Sequence, residues 1–372
     1  MDSQIRVIAF YLPQFHPIPE NDEWWGKGFT DWTNVVKARP LFPGHYQPHL
    51  PADLGFYDLR LSESRQAQAD LAKEYGIYGF CYYHYWFHGR RILNRPFDEV
   101  LASGKPDFPF CLCWANENWT RVWDGGNNQV IMPQLHSLED DVTHIRALLP
   151  AFRDRRYVRI GGKPLLLTYR TELLPNPKRT AQVWRDEVGR AGIGDLYLAR
   201  VESFQADINP SDIGFDAAVE FAPDWRCLGI PKFHRKRYVL LAKMGLTPRV
   251  YTEHHVFDYQ THIQRMLEKV QVRYKRFHGA AASWDNTSRR KRKAYIFHGS
   301  TPESFGNWLR IIVDRTVKRF KGDEQLIFVN AWNEWAEGAH LEPDQRWGRA
   351  YLEATRRVLH HQIPGSISSS QR

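Results

Sequence analysis

The sequence predicts a single α/β barrel in which eight parallel strands alternate with helices. Short apolar runs rich in Val, Ile, Tyr and Phe recur along the 372 residues, and continuous apolar runs are typical of strands covered on both faces. Segments of helical periodicity separate these runs. No glycine-rich phosphate loop follows the first run, which disfavours a nucleotide-binding sheet. One barrel can accommodate a chain of this length.

The order of the predicted elements matches a (β/α)8 TIM-type barrel with long βα loops. A helix is predicted over Leu138–Phe152, and another after Thr301, which serves as N-cap before Pro302. We predict one barrel domain over residues 1–364 and a small, polar, disordered tail over residues 365–372. The strands are predicted near Arg6–Phe10, Ile77–Tyr83, Phe108–Trp114, Pro164–Tyr169, Leu196–Val201, Ala217–Phe221, Ala280–Trp284 and Leu326–Ala331.

The formal charge of +9 is concentrated in two basic runs, His234–Arg237 and Arg289–Lys293. Such runs suit an acidic glycan or an anionic membrane, and they equally suit a solvated loop. One interpretation is therefore peripheral membrane contact through these basic loops, and the other is a solvated surface. No nucleic-acid-binding motif accompanies the charge, so we predict no nucleic-acid partner.

The cysteines and histidines predict neither a metal centre nor a cofactor. The four cysteines lack ligand spacing, and free buried thiols fit a reducing compartment. His16, His45 and His49 form no recognisable metal spacing either. The sequence begins with a strand-like segment and contains no long apolar stretch, so we expect no signal peptide, no transmembrane helix and a cytoplasmic location.

Aromatic and polar residues collect where the predicted strands end, which is the active-site face of such barrels. Most of the 14 tryptophans lie on these endings or just beyond them. Because aromatic rings stack on sugar faces while polar groups bind hydroxyls, this pattern favours a carbohydrate site over a merely large core. The predicted substrate-binding residues are Tyr11, Tyr83, His84, Trp114, Asn116, Glu117, Trp284, Asp285, Asn286, Trp332, Asn333, Trp335 and Glu342. Barrel packing is the alternative for Tyr11, Tyr83 and His84, and loop bracing is the alternative for Asn116 and Glu117.

Glu334 and Glu337 are the predicted catalytic residues. Glycosidic bond chemistry commonly needs one carboxyl group that protonates the departing oxygen and another that acts at the anomeric centre or on its attacker. The acid keeps its proton when it is partly desolvated beside another negative charge. Two glutamates at a strand exit, flanked by Trp332 and Trp335, meet both requirements. The alternative is two solvated loop glutamates.

The segment Asn333–Gly338, followed by Leu341–Pro343, resembles the terminal catalytic motif of glycoside hydrolase family 99. That family comprises endo-acting α-mannosidases and mannanases. The similarity is closer still to WbsX-like proteins, bacterial relatives found with lipopolysaccharide and surface-polysaccharide biosynthesis and often described as glycosyltransferases. Further segments that fit this group run from the first strand to the last: Ala9–His16, Phe29–Asn34, Trp114–Glu117 and Trp284–Thr287.

The resemblance implies a retaining mechanism in which the sugar's own 2-hydroxyl is the nucleophile. In family 99 the first Glu of the motif takes a proton from that hydroxyl, whose oxygen attacks the anomeric carbon and gives an anhydro-sugar. The second Glu is the general acid and then the general base. Carried over by position, Glu334 takes the first role and Glu337 the second. The sequence departs from the motif at Ala336, where family 99 usually has a histidine.

Three functions from different classes agree with the sequence. The first is a retaining glycosidase or transglycosidase that acts on an α-mannoside-like glycan, and the carboxylate pair favours it. The second is a glycosyltransferase that builds O-antigen or capsule from an activated sugar donor, which the apparent lack of an export signal favours. The third is a non-catalytic glycan-binding barrel. The expected partner is a glycan or a lipid-linked oligosaccharide, with no cofactor and no metal.

Overall fold

A computed structural model of the chain describes residues 5–120, 129–232, 236–248 and 250–360. Within these residues, eight parallel strands close into a barrel with helices between them, which confirms the predicted fold class. The predicted tail at residues 365–372 lies outside the described residues, so its disorder stays a prediction.

The barrel strands are β1 (Arg6–Tyr11), β2 (Ile77–Phe87), β3 (Phe110–Trp114), β4 (Lys163–Thr168), β5 (Tyr197–Glu202), β6 (Ala217–Glu220), β7 (Arg276–Ala281) and β8 (Leu326–Asn330). β1 pairs with β8, where Arg6 faces Leu326, and with β2, where Phe10 faces Cys81. Both flanks of β1 are therefore paired, and the barrel has no open edge there. The parallel arrangement brings the carboxyl ends of all eight strands to one face.

The helices that cover the described barrel are α1 (Ser62–Glu74), α2 (Arg95–Ser103), α3 (Leu138–Arg153), α4 (Pro177–Arg190), α5 (Tyr259–Leu267), α6 (Pro302–Arg319) and α7 (Ala350–His360). The connection from β5 to β6 instead contains the short 3-10 turn Pro210–Ile213. α3 and α6 lie where the sequence predicts them. The Ser137 side chain caps α3 by accepting a hydrogen bond from the Asp140 N–H, and Thr301 forms a capping box with Ser304 at α6.

Shorter elements lie in the connections between the barrel strands. The connection after β6, which includes the basic run His234–Arg237, contains the helices Lys236–Lys243 and Val250–Glu253. The other short elements are the helices Pro19–Trp25 and Trp32–Val35, the strands Arg90–Ile92, Trp119–Thr120, Val130–Met132, Arg159–Ile160, His255–Asp258, Tyr295–His298, Asn333–Glu334 and Ala339–His340, and the 3-10 turns Thr171–Leu173, Trp225–Cys227, Asn286–Ser288, Gly322–Glu324 and Trp335–Glu337.

The seventh strand begins earlier than predicted, at Arg276 instead of Ala280. Its first half contains buried charged residues that an apolar pattern does not detect. Arg276 lies 3.5 Å from a carboxylate oxygen of Glu220, and His278 lies 3.3 Å from the other oxygen. Burial of charged groups inside a strand is tolerated because these groups are paired, so hydrophobicity is a poor guide to this strand.

Aromatic side chains fill the barrel interior near the carboxyl ends of the strands. The ring of Phe10 stacks on Tyr83 with 5.5 Å between centroids and also contacts Phe221 and Phe328 at 5.9 and 5.8 Å. Burial of such a ring contributes about 2–3 kcal/mol. This aromatic layer is rigid enough to support the loops that follow the strands.

The cysteines are buried and free, as predicted. Cys81 faces Cys111 across the parallel pair of β2 and β3, and burial raises the pKa of the Cys81 thiol. A thiol in that state is a small apolar side chain and not a nucleophile. Among the described helices, none combines the length and the apolar character that crossing a bilayer would need.

Candidate active site

Glu334 and Glu337 lie on one tight turn just after β8. The short strand Asn333–Glu334 pairs with Ala339–His340, and the turn Trp335–Glu337 joins the two. Gly338 completes the turn at φ 59°, where a Cβ atom would lie 3.1 Å from the backbone nitrogen of Asp285. This position therefore favours glycine for both its conformation and its close contact. The turn holds both glutamates at the active-site face of the barrel.

Arg289, which sequence reasoning missed, joins the two glutamates. Its Nη2 lies 3.2 Å from Oε2 of Glu334, and its Nη1 lies 2.8 Å from Oε1 of Glu337. Because both nitrogens belong to one guanidinium group, the two carboxyl groups must lie close together. The Glu334 side chain is 8% exposed and that of Glu337 is 22% exposed. The two glutamates are therefore not solvated loop residues.

Asp31 is a third carboxylate on the same guanidinium group. Its Oδ2 lies 3.0 Å from Nη2 of Arg289, and its Oδ1 lies 3.3 Å from Nε. Sequence reasoning left both residues out of the site. Asp31 lies within the matching segment Phe29–Asn34, and that segment is the signal for it in the sequence. Arg289 opens the basic run Arg289–Lys293, which gives no sign that its first residue is buried.

The cluster contains three carboxyl groups and one guanidinium group, of which Asp31, Glu334 and Arg289 are buried and Glu337 is half-buried. Burial raises the pKa of both Glu334 and Glu337, and the charge of Arg289 offsets part of that rise. Burial alone would lower the pKa of Arg289, but the nearby carboxylates, Asp31 first, raise it above its ordinary value. The arginine therefore stays charged while the glutamate pair holds protons more readily than exposed carboxyls do. Such a pair can supply one acid and one base.

Asp285 braces the loop that follows β7. Its Oδ2 lies 2.6 Å from Nε2 of His45, and its Oδ1 accepts hydrogen bonds from the backbone and hydroxyl of Thr287 at 3.0 and 2.7 Å. Nδ1 of His45 accepts a hydrogen bond from the Leu41 N–H, so Nε2 is the nitrogen that donates to Asp285. The Asp285 N–H donates to the Glu337 carbonyl at 2.6 Å. Both carboxylate oxygens of Asp285 are therefore bound by protein groups, His45 and Thr287.

Asn333 ties the turn that carries Glu334 and Glu337 to the loop after β1. Its Oδ1 accepts a hydrogen bond from the Leu12 N–H at 2.7 Å, and its Nδ2 donates to the Leu12 carbonyl at 3.0 Å. The residue is fully buried, so the structure makes it a positioning residue and not a sugar contact. Ala336 is also fully buried, and its carbonyl accepts a hydrogen bond from the Ser288 hydroxyl. The position that departs from the family 99 motif therefore faces protein.

Glu342 lies beneath the catalytic turn in a closed hydrogen-bond network. It accepts hydrogen bonds from Nε1 of Trp335 at 2.6 Å, from the Tyr57 hydroxyl at 2.8 Å and from Nε2 of Gln68 at 2.7 Å. Burial raises the pKa of Glu342 to about 7, although these donors lower it in part. Since the residue is 2% exposed, it positions the Trp335 indole and has no surface for substrate.

The Glu342→Gln substitution is expected to lower stability and turnover together. An amide offers one acceptor oxygen and would turn its NH2 group toward a buried donor, which costs about 1–3 kcal/mol. The folded pKa lies above the unfolded value, so the wild type gains stability in acid that is lost as pH rises toward 7. Thermal melts at pH 5 and pH 8 should therefore find the larger deficit of the variant at pH 5. An equal deficit at both pH values would contradict the raised pKa.

Three tyrosines surround the glutamate pair. Tyr83 in β2 and Tyr169 after β4 meet edge to face at 6.2 Å. Burial raises the pKa of Tyr83 and Tyr85, and the nearby charge of Glu334 adds to both rises. Tyr83 was a predicted pocket residue, whereas Tyr85 was missed. Strand alternation puts residues two positions apart on the same face, and this was the signal for Tyr85.

Other predicted binding residues on the strands face the surrounding helices. The Tyr11 hydroxyl donates to Oε1 of Gln68 in α1 at 2.7 Å. Nε2 of His84 lies 3.0 Å from Nε2 of His144 in α3, and Trp114 is fully buried against α4. Alternation along each strand explains this, because the neighbours of interior residues point outward. For Tyr11 and His84 the structure agrees with the packing alternative.

Asn116 and Glu117 brace the loop after β4 through Arg170. Nδ2 of Asn116 donates to the Arg170 carbonyl at 2.7 Å, and the Arg170 N–H donates to Oδ1 of Asn116 at 2.8 Å. Nη1 of Arg170 lies 2.5 Å from Oε1 of Glu117. Asn116 is buried, whereas the Glu117 side chain is 40% exposed and can still meet a ligand. The structure thus agrees with loop bracing and leaves a binding role open to Glu117.

The indoles predicted to stack on sugar are buried in protein contacts. Trp335 stacks on His340 with 3.9 Å between ring centroids, and Trp332 is fully buried. Trp284 is 5% exposed and lines a cavity of about 250 Å³ on the far side of the Asp285 loop. Asn286 accepts a hydrogen bond from a backbone N–H at 2.9 Å. These residues support the turn that carries Glu334 and Glu337 and present little indole surface to a ligand.

An open cleft of about 430 Å³ includes Arg289 and is lined by the loops that follow β1, β3 and β7. Its aromatic lining consists of Trp25, Phe29 and Trp119, none of which was a predicted binding residue. A cleft of this size can hold one or two sugar rings, and its aromatic walls suit their apolar faces. The remaining lining residues are Gln14, Asn34, Lys37, Ala38, Arg39, Leu41, Thr120, Ile131, Thr287, Ser288 and Lys291.

One side-chain group in the described residues has ligand atoms close enough to hold a metal ion. His49, His340 and Asp344 each bring a ligand atom within 4.8 Å of the others. Nδ1 of His49 already lies 2.9 Å from Nε2 of His340, and Nδ1 of His340 lies 2.9 Å from the Glu342 carbonyl. These two contacts satisfy Nδ1 of His49 and both ring nitrogens of His340 and hold the loops after β1 and β8 together. The absence of a catalytic metal stays a prediction.

Comparison with known proteins adds a family and a fold. The family model described as "Glycosyltransferase WbsX" matches residues 7–355. Protein WxcX of Xanthomonas campestris pv. campestris is 45% identical over 353 residues in strain B100, and the same identity holds for strain ATCC 33913. The match covers 95% of this chain and 49% of the relative, so the chain spans about half the length of the curated relatives it matches.

Solved structures share the barrel at low sequence identity. A glycoside hydrolase-like protein superposes with a TM-score of 0.59 at 14% identity, covering 96% of this chain and 94% of its own. The GH99 endo-α-mannosidase of Bacteroides thetaiotaomicron gives a TM-score of 0.55 at 14% identity, covering 96% and 97% of the two chains. At this identity the likeness establishes the fold alone.

Proposed function

The chain belongs to the WbsX glycosyltransferase family, and we propose that it cleaves or transfers a glycosidic bond with Glu334 and Glu337 as its reacting carboxyl groups. The observation that supports this most is the single guanidinium group of Arg289, which contacts both glutamates and Asp31. A structural ion pair needs only one carboxylate per arginine. Surplus buried carboxyl groups at the carboxyl end of a barrel are typical of acid–base catalysis.

The proposed reaction on an α-mannoside-like glycan is retaining. Glu334 takes the proton of the sugar 2-hydroxyl, and that oxygen attacks the anomeric carbon while Glu337 protonates the departing glycosidic oxygen. Glu337 then takes a proton from water or from an acceptor hydroxyl, whose oxygen opens the anhydro-sugar, and Glu334 returns its proton to O2. With water the product is a free sugar, and with an acceptor glycan it is a new glycoside.

Glycosyl transfer from an activated donor is the second candidate function. The description of the family supports it. The cationic cleft beside Arg289 also supports it, because an activated donor carries an anionic leaving group. Either reaction fits bacterial surface-polysaccharide or lipopolysaccharide metabolism with a lipid-linked oligosaccharide as substrate. The four buried free thiols suit a cytoplasmic setting.

The two functions are separated by one assay. The chain is incubated with α-mannobiose or α-mannan oligosaccharides, and separately with sugar nucleotides plus an acceptor glycan, and products are followed by mass spectrometry. Free sugar or rearranged oligosaccharide from the first set supports the retaining glycosidase or transglycosidase. Acceptor extension only in the second set supports transfer from a donor. Binding of glycans with no product in either set would leave only a non-catalytic barrel.

A second surface supports contact with an anionic membrane. The loop after β6 exposes Leu240, Met244 and Leu246, at 60%, 62% and 65% of their surface, beside the exposed cations Arg237 and Lys243. A basic segment with exposed apolar side chains is the pattern of interfacial binding. The loop follows a barrel strand at its carboxyl end, so it lies on the face that carries the glutamates. The second basic run contributes less to this surface, because its first residue is buried in the site.

Removal of this surface is expected to weaken membrane binding without loss of activity on a water-soluble substrate. The variant Leu240→Ser with Met244→Ser should bind vesicles of 30% phosphatidylglycerol in phosphatidylcholine at least tenfold more weakly in co-sedimentation, since each buried side chain contributes about 1–2 kcal/mol. Val270→Ser with Ile311→Ser is the matched control, because these exposed apolar residues lie away from the loop. Equal binding by both variants would contradict the proposal.

A further inference from the structure

We infer that the cleft beside Arg289 binds an anionic group of the substrate, a phosphate or a carboxylate that lies next to the scissile bond. The inference rests on the proposed function and adds a substrate class to it. Lys37, Arg39 and Lys291 line the cleft and are exposed to it. Among the described residues that line the cleft, none is acidic.

The three cations differ from those surface arginines that are paired with carboxylates. Arg60 lies 2.6 Å from a carboxylate oxygen of Asp58, and Arg90 lies 2.6 Å from one of Glu20. Within the described parts of the chain, no carboxylate lies within ion-pair distance of Lys37, Arg39 or Lys291. Like charges gathered in one concave surface repel one another, and a bound anion removes that cost.

The charge of Arg289 is already used inside the site, so it does not serve as the anion receptor. Asp31, Glu334 and Glu337 occupy its guanidinium group. The carboxylate cluster repels an anion, whereas the cleft just outside it attracts one. The substrate is therefore oriented by charge: the neutral sugar that reacts lies at the glutamates, and the anionic group lies outward along the cleft.

The cleft is too large for an ion alone. Its volume of about 430 Å³ and its aromatic lining of Trp25, Phe29 and Trp119 suit a ring as well as a charge. Two chemistries meet this description, a glycosyl diphosphate and a uronic acid residue. Both present oxygen anions that Lys and Arg bind, so the common feature is an anion on the leaving-group side of the scissile bond.

The test measures anion binding on the full chain without turnover. Inorganic pyrophosphate represents the diphosphate, digalacturonic acid represents the uronate, and mannobiose is the neutral comparison, each titrated by calorimetry in 150 mM salt. The test variant is K37Q/R39Q/K291Q. The matched control, K178Q/R179Q/K318Q, removes the same number and kind of exposed charges from α4 and α6. The variant K37R/R39K/K291R keeps the cleft charge and should keep binding if charge is the cause.

We expect one of the two anions to bind at least tenfold more tightly than mannobiose. The test variant should lose that affinity at least tenfold, while the control stays within twofold of the wild type. The anion that binds identifies the source. Equal anion affinity in wild type and test variant, equal loss in the control, or preference for mannobiose would each overturn the inference. The proposed function is tested by a separate measurement: full turnover by Glu337→Gln would contradict it. Anion binding does not depend on Glu337, so that result would leave the anion site unaffected.

Discussion

Replacing Glu337 by Gln is expected to reduce turnover of a natural glycoside by at least roughly 10³-fold. The amide cannot donate a proton to the departing oxygen, although it keeps the size of the side chain. Substrate affinity should change little, because the cleft residues that bind the glycan remain. Steady-state kinetics together with calorimetric binding would measure the two effects independently. Full activity in this variant would remove Glu337 from the role of acid.

The corresponding Glu334→Gln variant distinguishes the role of the base, Glu334, from that of the acid, Glu337. Without the base, the 2-hydroxyl keeps its proton and the first chemical step fails whatever the leaving group is. A substrate whose leaving group needs no protonation should therefore restore the first step in Glu337→Gln, measured as a burst of released leaving group, and leave Glu334→Gln inactive. The control is Glu353→Gln, an exposed glutamate on α7 that lies outside the barrel. Rescue of both variants by the activated substrate would contradict the assignment of the base.

The same pair predicts the pH dependence of kcat/KM. Burial raises the pKa of both glutamates, so the ionisation that creates the base and the one that removes the acid both lie above the range of exposed glutamates. The activity profile should be bell-shaped, with both limbs displaced toward alkaline pH. A profile centred near pH 4–5, as for two solvated carboxyls, would indicate that the pair is not buried in the working enzyme.

The fold and the turn that carries Glu334 and Glu337 could be predicted because each depends on a local sequence pattern. Continuous apolar runs located most barrel strands, and the motif around Glu334 and Glu337 located the turn. The partners of that turn could not be predicted from spacing, because Arg289 and Asp31 come from loops that follow β7 and β1. A basic run in sequence also gives no sign that its first residue is buried and its last three residues are exposed.

The positions of the tryptophans were an incomplete guide for the same reason, because the sequence does not show which way each side chain points. Tryptophans at strand ends predict stacking on sugar, yet Trp332 and Trp335 are buried and hold the catalytic turn in place. A large indole stabilises a rigid loop as readily as it binds a ligand. Trp25 and Trp119, which do line the cleft, lie in loop segments where the sequence has no periodicity to reveal their direction.

Replacing Arg289 by Gln is expected to have the largest combined effect on activity and stability. The substitution leaves Glu334, Glu337 and Asp31 without their shared cation, and loss of one member of a buried ion cluster costs about 3–5 kcal/mol. The pKa of both glutamates should rise further, since the charge that offsets their burial is gone. The ionised fraction of Glu334 near neutral pH would then fall further, so turnover should drop by at least roughly 10²-fold.

The pH dependence of stability distinguishes this effect from simple misfolding. Folded pKa values raised above the unfolded ones favour folding in acid, and this contribution is lost as the pH rises through the folded values. The melting temperature of Arg289→Gln should thus approach that of the wild type at pH 5 and fall well below it at pH 8. Arg292→Gln, in the same basic run but exposed, should match the wild type at both pH values. If Arg289→Gln is equally unstable at both pH values, the guanidinium group stabilises the fold through packing and not by lowering the pKa of the glutamate pair.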